Sequence, residues 1–251
     1  MTETVPPSRT VFGRAVALLS AFAGTAAGRL TLTELAERSG LPLTTTHRLA
    51  GQLQREGVLE RLPSGEYRVG LRLWELGLLA PRAHGLREVA LPFLEDLYEV
   101  THQNVQLMVL DGTDAVVVER LRARTAVPLT SRAGGRLPVH ATSGGLVLLA
   151  HADGGLLAEV LARPLTRYTQ ETITTEHDLR AALAVARRQG HLEIREHLTP
   201  GSMSIAAPIL VRERAVGAVS VVTDAGDDPH PLVPAIRTTA FAIARALRGA
   251  P

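Results

Sequence analysis

The chain has 251 residues, of which 45% are hydrophobic and 21% charged, a composition typical of folded domains and not of a disordered chain. Its length allows two modest domains or one large one, and the absence of cysteine excludes disulfide and thiolate chemistry, so we expect a cytoplasmic location. No apolar run approaches the roughly 18 residues that span a bilayer, and the residues from Met1 to Arg9 do not resemble a secretory signal.

The basic residues of this chain are all arginine, which a GC-rich genome would explain. The net surplus of two positive charges lies within the first eighty residues. A surplus of two is too small to establish nucleic-acid binding, so any such prediction has to come from motifs.

Three helices are predicted in the first part of the chain. Apolar residues follow helical spacing over residues 11–22. Thr31 and Glu34 form a capping-box pattern that starts a second helix, and Gly40 ends it. A third helix is predicted over residues 43–56, with residues 44–48 on its exposed first turns and Leu43 on its buried side.

Two short helices joined by a glycine-containing turn predict a helix-turn-helix, and the third helix would read the major groove with its N-terminal end. Small hydroxyls there allow a close approach to phosphates, and a guanidinium offers two parallel hydrogen bonds to guanine or phosphate. The residues predicted to do so are Thr44, Thr45, Thr46 and Arg48.

The residues after Gly57 predict a wing. Residues 58–62 and 67–69 alternate like strands and flank a turn, which indicates a β-hairpin. From it Arg61 and Arg68 would reach backbone phosphates. A small helical domain with a hairpin and no DNA partner remains the alternative, and Thr46 and His47 have packing or solvation as equal alternatives to DNA contact.

The second part of the chain predicts an α+β domain. A long amphipathic helix is predicted over residues 86–101, and strands over residues 105–110, 115–121, 203–211 and 215–223. Helices are predicted between and after them, at residues 141–150, 156–161, 176–189 and 233–248. Strands at both ends with helices inserted and appended suggest an antiparallel sheet.

Several consecutive blocks resemble the IclR family of bacterial transcription regulators. The run from Gly40 to Leu49 is similar to the family's G-L-P-x-S/T-T-x-x-R-L pattern, with Thr44 at the Ser/Thr position. Further similar blocks, which extend the resemblance over about residues 10–248, are residues 14–19, 32–36, 66–70, 73–77, 135–145 and 201–208.

This resemblance implies a three-part organisation. Residues 1–80 would be an all-α winged helix-turn-helix domain with a β-hairpin wing, residues 81–101 a linker helix that helps to form a dimer, and residues 102–251 an α+β GAF-like effector domain with an antiparallel sheet. We also assign Arg14, in the first similar block, to the DNA interface.

The resemblance further implies an effector site. Backbone amides of Ser143 and Gly144, at a helix start, would hold an anionic ligand, as unpaired donors and the helix dipole favour. The matching positions on the facing strands are Ile194, Ser204, Ser220 and Val222.

Three of these positions depart from family members that bind small 2-oxo acids. Those members have an acidic residue in place of Ile194, cysteine in place of Ser204 and serine in place of Val222, and Leu146 replaces the family's usual lysine. The site therefore looks more apolar, and we expect a larger carboxylate with a hydrophobic body, aromatic or branched.

Two groups of residues could be taken for catalytic or metal-binding sites. His140 and Ser143 lack a G-x-S-x-G elbow and a third orienting group. His191 and His197, with Glu193 and Glu196, match no zinc spacing, and we interpret these side chains as solvated. No catalytic residue, metal or cofactor is expected.

The sequence therefore predicts a cytoplasmic, ligand-responsive DNA-binding transcription regulator, a repressor of a metabolic or catabolic operon. Its expected partners are double-stranded operator DNA, a small-molecule effector and a second copy of itself, as a homodimer or tetramer. The alternative is an enzyme acting on a small carboxylate with a fused DNA-binding regulatory head.

Overall fold

The structure, a computed structural model, describes residues 10–25, 27–123, 127, 129 and 131–249. The chain divides into two compact units, Met1–His84 and Gly85–Pro251. No helix in the described ranges is long and apolar enough to cross a membrane.

The first unit contains four helices and three short strands among its described residues. In chain order they are α1 (Val11–Ser20), β1 (Arg29–Leu30), α2 (Leu32–Ser39), α3 (Leu43–Arg55), β2 (Leu59–Arg61), β3 (Tyr67–Val69) and α4 (Leu71–Gly77). The capping box predicted at Thr31 and Glu34 is present, and Gly40 ends α2 in the left-handed region with φ 67°. The helix-turn-helix and its wing are therefore confirmed.

The orientation of α3 differs from the prediction at its first turn. Leu49 packs against Leu18 of α1 and Leu35 of α2 in the core of this unit. Leu43 was expected on the same side, but its side chain is 51% exposed. It precedes Leu49 by six residues, about one and two-thirds turns, and so lies on a different face of the helix.

The wing is part of a three-stranded antiparallel sheet with the strand order β1-β3-β2. β1 pairs its two residues with Tyr67 and Arg68. The sequence did not predict β1, because two residues are too few to show an alternating pattern. The turn between β2 and β3 is closed by Gly65, whose φ of 88° suits glycine.

The second unit is built on a six-stranded sheet. Its elements are α5 (Pro81–Thr101, which starts before the unit boundary), β4 (Asn104–Asp111), β5 (Asp114–Leu121), β6 (Arg136–Pro138), α6 (Ser143–Ala150), α7 (Gly154–Leu161), α8 (Glu176–Gln189), β7 (Leu192–Arg195), β8 (Ser202–Val211), β9 (Arg214–Asp224) and α9 (Leu232–Gly249). The sheet is antiparallel with the order β6-β5-β4-β9-β8-β7, which confirms the predicted α+β domain.

The two faces of this sheet pack against different helices, because successive side chains of a strand point to opposite faces. Val105, Leu107 and Ile205 belong to a core with residues of α5 and α9. Met108 and Ala206 belong to a second core with residues of α6, α7 and α8. The sheet is thus buried on both faces.

Polar residues interrupt the α6 side of the sheet at one place. Ser204 of β8 lies opposite Ile194 of β7 and Val222 of β9. Two residues before Val222 on β9, Ser220 lies opposite Gln106 of β4. Hydroxyl and amide groups therefore stand side by side on a face that is otherwise apolar.

Candidate functional site

A cleft of about 480 Å³, measured with its open mouth, lies over this polar interruption. Five of the six residues predicted for the effector site line it: Gly144, Ile194, Ser204, Ser220 and Val222. The structure thus brings residues of α6, β7, β8 and β9 to one site, as the resemblance implied.

Ser143, the sixth predicted residue, has a different place. Its side chain is 0% exposed and its hydroxyl is hydrogen-bonded to the hydroxyl of Ser204, so the side chain does not line the cleft. The first turn of α6 packs this side chain directly on the sheet, so the assignment of Ser143 to the effector site rests on its backbone amide and stays a prediction. Its hydroxyl instead orients Ser204, which does face the cleft.

The start of α6 presents backbone donors. Thr142 caps the helix by accepting from the N–H of Gly145 at 3.1 Å. Among the described residues, no hydrogen bond uses the N–H of Ser143 or Gly144. A Cβ on Gly144 would lie 2.3 Å from the sulfur of Met108, so glycine lets the helix start approach β4 closely. Unpaired amides at the positive end of a helix favour an anion.

A polar network that the sequence did not reveal borders the cleft on the β4 side. The amide of Gln106 donates to the hydroxyl of Ser131 at 2.7 Å, and the hydroxyl of Ser220 donates to the Gln106 amide oxygen at 3.5 Å. Gln106 and Ser131 both line the cleft. A glutamine within the apolar β4 run was the available signal, but its partner Ser131 lies 25 residues away.

Arg120 lies behind this network. Its guanidinium donates to the backbone oxygen of Ser131 and, at 3.4 Å, to the side-chain oxygen of Asn104, while its buried Nε has no partner. No ion pair between described residues includes Arg120. Burial, together with the charge of Arg122, lowers the pKa of Arg120, but a guanidinium stays charged at neutral pH. The cleft therefore has a cation behind one wall without an acid to balance it.

The loop between β7 and β8 borders the other side of the cleft. His197 lines the cleft there, although the sequence predicted a solvated side chain. The Nδ1 atom of His197 is buried and has no hydrogen-bond partner. A spacing pattern could not show this, because β7 ends at Arg195 and Glu196, with φ 56°, redirects the chain before His197.

The histidine and serine considered for catalysis are engaged separately. Nε2 of His140 is 3.0 Å from the backbone oxygen of Thr166, whereas Ser143 is bonded to Ser204. Burial lowers the pKa of His140, and the Thr166 contact opposes this. The described geometry therefore does not pair His140 with Ser143 as base and nucleophile.

The first unit carries the candidate nucleic-acid interface on α3. Thr44, His47 and Arg48 are exposed there and Thr45 is half-buried. Thr46 is 0% exposed, and its hydroxyl donates to the backbone oxygen of Pro42 at 3.1 Å. The prediction that Thr46 contacts DNA is therefore wrong, because its position three residues before Leu49 puts it on the buried face.

The predicted arginines of this unit differ in their partners. Arg48 is on the exposed face of α3, where one of its terminal guanidinium nitrogens lies 3.5 Å from the side-chain amide oxygen of Gln52. Arg61 lies over the ring of Tyr67, with its guanidinium 5.7 Å from the ring centre. Arg68 is paired with Glu60 at 2.6 Å on the wing.

Two further arginines of this unit, Arg14 and Arg55, differ in their exposure. Arg14 is half-buried on α1, outside the exposed face of α3 and the wing. Arg55, which the sequence did not predict as a DNA contact, is also exposed. It follows Arg48 by seven residues, about two turns, and so lies on the same face of α3. Helical spacing was the signal that could have found it.

Comparison with known proteins identifies the class of protein that this fold represents. The IclR helix-turn-helix domain matches residues 12–63, and the bacterial transcriptional regulator IclR C-terminal domain matches residues 80–245. The chain therefore belongs to the IclR family, and it is an effector-responsive DNA-binding regulator of transcription.

Individual relatives agree with this assignment. The HTH-type transcriptional regulator XynR of Escherichia coli K12 is 33% identical over 213 residues, which cover 84% of each chain. The transcriptional repressor IclR of the same organism is 29% identical over 208 residues, 78% of this chain and 76% of the repressor. An IclR homolog from Microbacterium hydrocarbonoxydans, solved in complex with 4-hydroxybenzoate, superposes with a TM-score of 0.88 at 36% identity, over 96% of this chain and 100% of that one.

The geometry of α3 predicts that Arg48→Ala weakens specific DNA binding by about 5- to 150-fold, the equivalent of roughly 1–3 kcal/mol for a lost base contact. Thr46→Val, two residues away on the buried face, is the matched control and should stay within about twofold of wild type, because the Pro42 oxygen that the hydroxyl contacts keeps the N–H of residue 46 as its donor. Fluorescence polarisation against a genomic fragment recovered by mapping bound sites measures both. Unchanged affinity in Arg48→Ala, or an equal loss in a folded Thr46→Val protein, contradicts this assignment.

Proposed function

We propose that this protein represses a metabolic or catabolic operon and that its effector is a carboxylate with an apolar body, bound in the cleft of the second unit. The observation that carries this proposal is the pairing of cationic and apolar surfaces in one cleft. Its β4 side has unpaired amides and a cation without an acid, and its walls are aliphatic.

The anionic end of the effector is assigned to the β4 side of the cleft. The amides of Ser143 and Gly144 offer two donors, and the dipole of α6 adds a positive potential there. Arg120, which donates to the backbone oxygen of Ser131 behind the cleft, contributes a positive charge that no described acid neutralises. A carboxylate would satisfy these groups together.

The body of the effector is assigned to the apolar walls. Ile194 and Val222 line the cleft with Leu129 and Leu137. A two- or three-carbon acid would leave these walls in contact with water or bury its charge against them, and both cost free energy. The Microbacterium homolog, crystallised with an aromatic acid, supports an effector of this shape.

Operator binding is assigned to α3 in the major groove, with the wing on the flanking phosphates. Thr44, Thr45 and Arg48 would contact the DNA from α3, and Arg61 from the wing. Arg68 would have to exchange its pair with Glu60 for a phosphate, so its contribution should be smaller. The repressor among the relatives supports negative control.

We further propose a three-part organisation with residues 1–80 binding DNA, residues 81–101 forming a linker and residues 102–251 binding the effector. The helix α5 spans Pro81–Thr101, which supports a helical linker. Effector binding would then alter operator affinity by favouring one arrangement of the DNA-binding units in a dimer.

Exposed apolar side chains in the first unit support the dimer. Phe12 on α1 is 85% exposed and Trp74 on α4 is 62% exposed, with Val11, Val16, Leu71 and Leu79 also exposed. Large apolar side chains left exposed on a folded unit are the residues that an association surface would bury. One DNA-binding unit also offers too few contacts for a tight, specific operator.

Sedimentation equilibrium at micromolar concentration should give a dimer or a dimer of dimers for the wild-type chain. Phe12→Ser should weaken the association and operator affinity together, since it removes an apolar side chain from the proposed contact. Phe241→Ser, which alters an exposed phenylalanine of the second unit, should leave the dimer and its operator affinity intact. A wild-type monomer with full operator affinity would contradict the dimer.

Calorimetry of the full chain against aromatic, branched-chain and two- to three-carbon acids tests the effector class. Wild type should bind an aromatic or branched acid best. Ile194→Asp should weaken that acid at least about tenfold, because it places a negative charge on an apolar wall facing an anion. The control Ile194→Val keeps the wall apolar and should stay within about threefold. The assignment fails if glyoxylate or pyruvate binds best or if Ile194→Asp changes nothing.

A further inference from the structure

We propose that the outer sides of α5 and α9 form a surface by which the second unit binds the same surface of another copy, so that dimers joined through the first unit pair into a dimer of dimers. This inference starts from one surface that has carboxylates on one helix and guanidinium groups on the other. The contact is separate from the exposed apolar residues of the first unit. Only its readout, the step from dimer to tetramer, rests on the dimer proposed above.

The helices α5 and α9 lie side by side on one face of the sheet, and residues of both belong to the same core. Arg87 of α5 is paired with Glu119 of β5 at 2.6 Å, whereas α9 packs on β8 and β9. The two helices therefore cover neighbouring halves of the strand order β5-β4-β9-β8. Since the buried side of each helix faces the sheet, the opposite sides together form one outer surface of this unit.

The two helices run in opposite directions. α5 leads into β4, whose first residue, Asn104, lies opposite Val222 near the end of β9. α9 follows β9, so it begins at the end of the sheet where α5 finishes. A second copy, related by a two-fold axis parallel to both helices, would therefore set its α5 on α9 and its α9 on α5.

The outer side of α5 is acidic. Glu95 and Glu99 are exposed one turn apart, and Asp96 adds a third exposed carboxylate. Carboxylates four residues apart on a helix repel each other. None of the three is in an ion pair with another described residue, although arginines stand on the neighbouring helix.

The outer side of α9 is basic and includes an exposed aromatic ring. Arg245 and Arg248 are exposed, and Phe241, one turn before Arg245, is 63% exposed. Arg248 donates to the backbone oxygen of Ala244 in its own helix, and neither arginine is in an ion pair within the part of the chain that the structure describes. Guanidinium groups bind carboxylates with two parallel hydrogen bonds, and arginine and phenylalanine are enriched at protein interfaces. α9 thus offers the charge that complements α5.

A second copy is the occupant that this arrangement favours. Two identical surfaces complement each other when both signs stand on one surface, whereas a partner of one sign would match one helix and repel the other. Three turns of two adjacent helices cover roughly 16 by 20 Å, or roughly 320 Å² in each copy. This is less than half of the roughly 800 Å² per partner in a standard interface, so the contact should be weak and sensitive to salt.

Sedimentation velocity of the full chain over a micromolar concentration range, at low and at high salt, tests this surface. Wild type should show a step from dimer to tetramer that high salt weakens. Glu95→Arg and Arg245→Glu should each keep the dimer and weaken the tetramer at least about tenfold, because each change sets like charges against each other. An equimolar mixture of these two variants should restore the tetramer, because opposite charges then face each other in both halves of the contact.

Two further variants control for net charge and for apolar contact. Arg188→Glu makes the same change of charge on an exposed side chain of α8, outside this surface, and should keep the tetramer. Phe241→Ser, which keeps the dimer formed by the first unit, should weaken the tetramer, because it removes the apolar ring from the contact.

The outcomes separate this inference from the proposed dimer. A wild-type protein that stays a dimer over the whole range overturns the surface and leaves the dimer standing, and so does a tetramer that neither charge reversal weakens. A mixture of the two folded variants that fails to form tetramers overturns the pairing of α5 with α9. A wild-type monomer overturns both proposals, and unchanged thermal stability of each variant shows that loss of assembly is not loss of fold.

Discussion

The alternation of side chains along a sheet buried on both faces is the constraint on which the second unit depends. Val105 and Leu107 face α5 and α9, and Gln106 between them faces α6. A slip of one residue in any strand would exchange the two faces and place polar groups in the wrong core. Because every central strand is fixed this way, the side chains from β4, β8 and β9 meet at one cleft with little freedom.

The partners of the arginines separate structural charges from candidate binding charges. The chain has no lysine, so every cationic side chain is a guanidinium, the group best suited to carboxylates and phosphates. Arg68 and Arg136 are satisfied by nearby acids on their own sheets. Arg48 on α3 and Arg120 behind the cleft have no acid partner among the described residues. Both proposed binding sites therefore contain a cation that an external anion can complete.

Local signals made much of the fold predictable from the sequence. The capping box at Thr31, the left-handed Gly40 and the alternating strands of both hairpins act within a few residues, so they can be recognised without tertiary information. The family resemblance then placed five of six effector residues in the cleft. The boundaries of β4 and β5 were accurate to one residue, because Gly112 and its neighbours mark the turn between them.

The errors came from features that local patterns do not determine. Thr46 and Leu43 were assigned to the wrong faces of α3, because the phase of a helix is set by what it packs against and not by polarity alone. The position of His197 was not predicted, because Glu196 before it has a positive φ and redirects the chain. Arg120 and Gln106 were missed because their shared partner, Ser131, is brought to them only by the folded chain.

We propose that the cleft and the DNA-binding face belong to one ligand-controlled switch. Coupling between two sites is reciprocal, so operator must change effector affinity by the same factor by which effector changes operator affinity. The direct measurement is calorimetry of the best-binding carboxylic acid with the free protein and with the protein saturated by operator DNA, alongside the operator affinity with and without that acid. We expect equal factors of about 5- to 150-fold in the two directions. An acid that binds in the cleft and leaves operator affinity unchanged would contradict it.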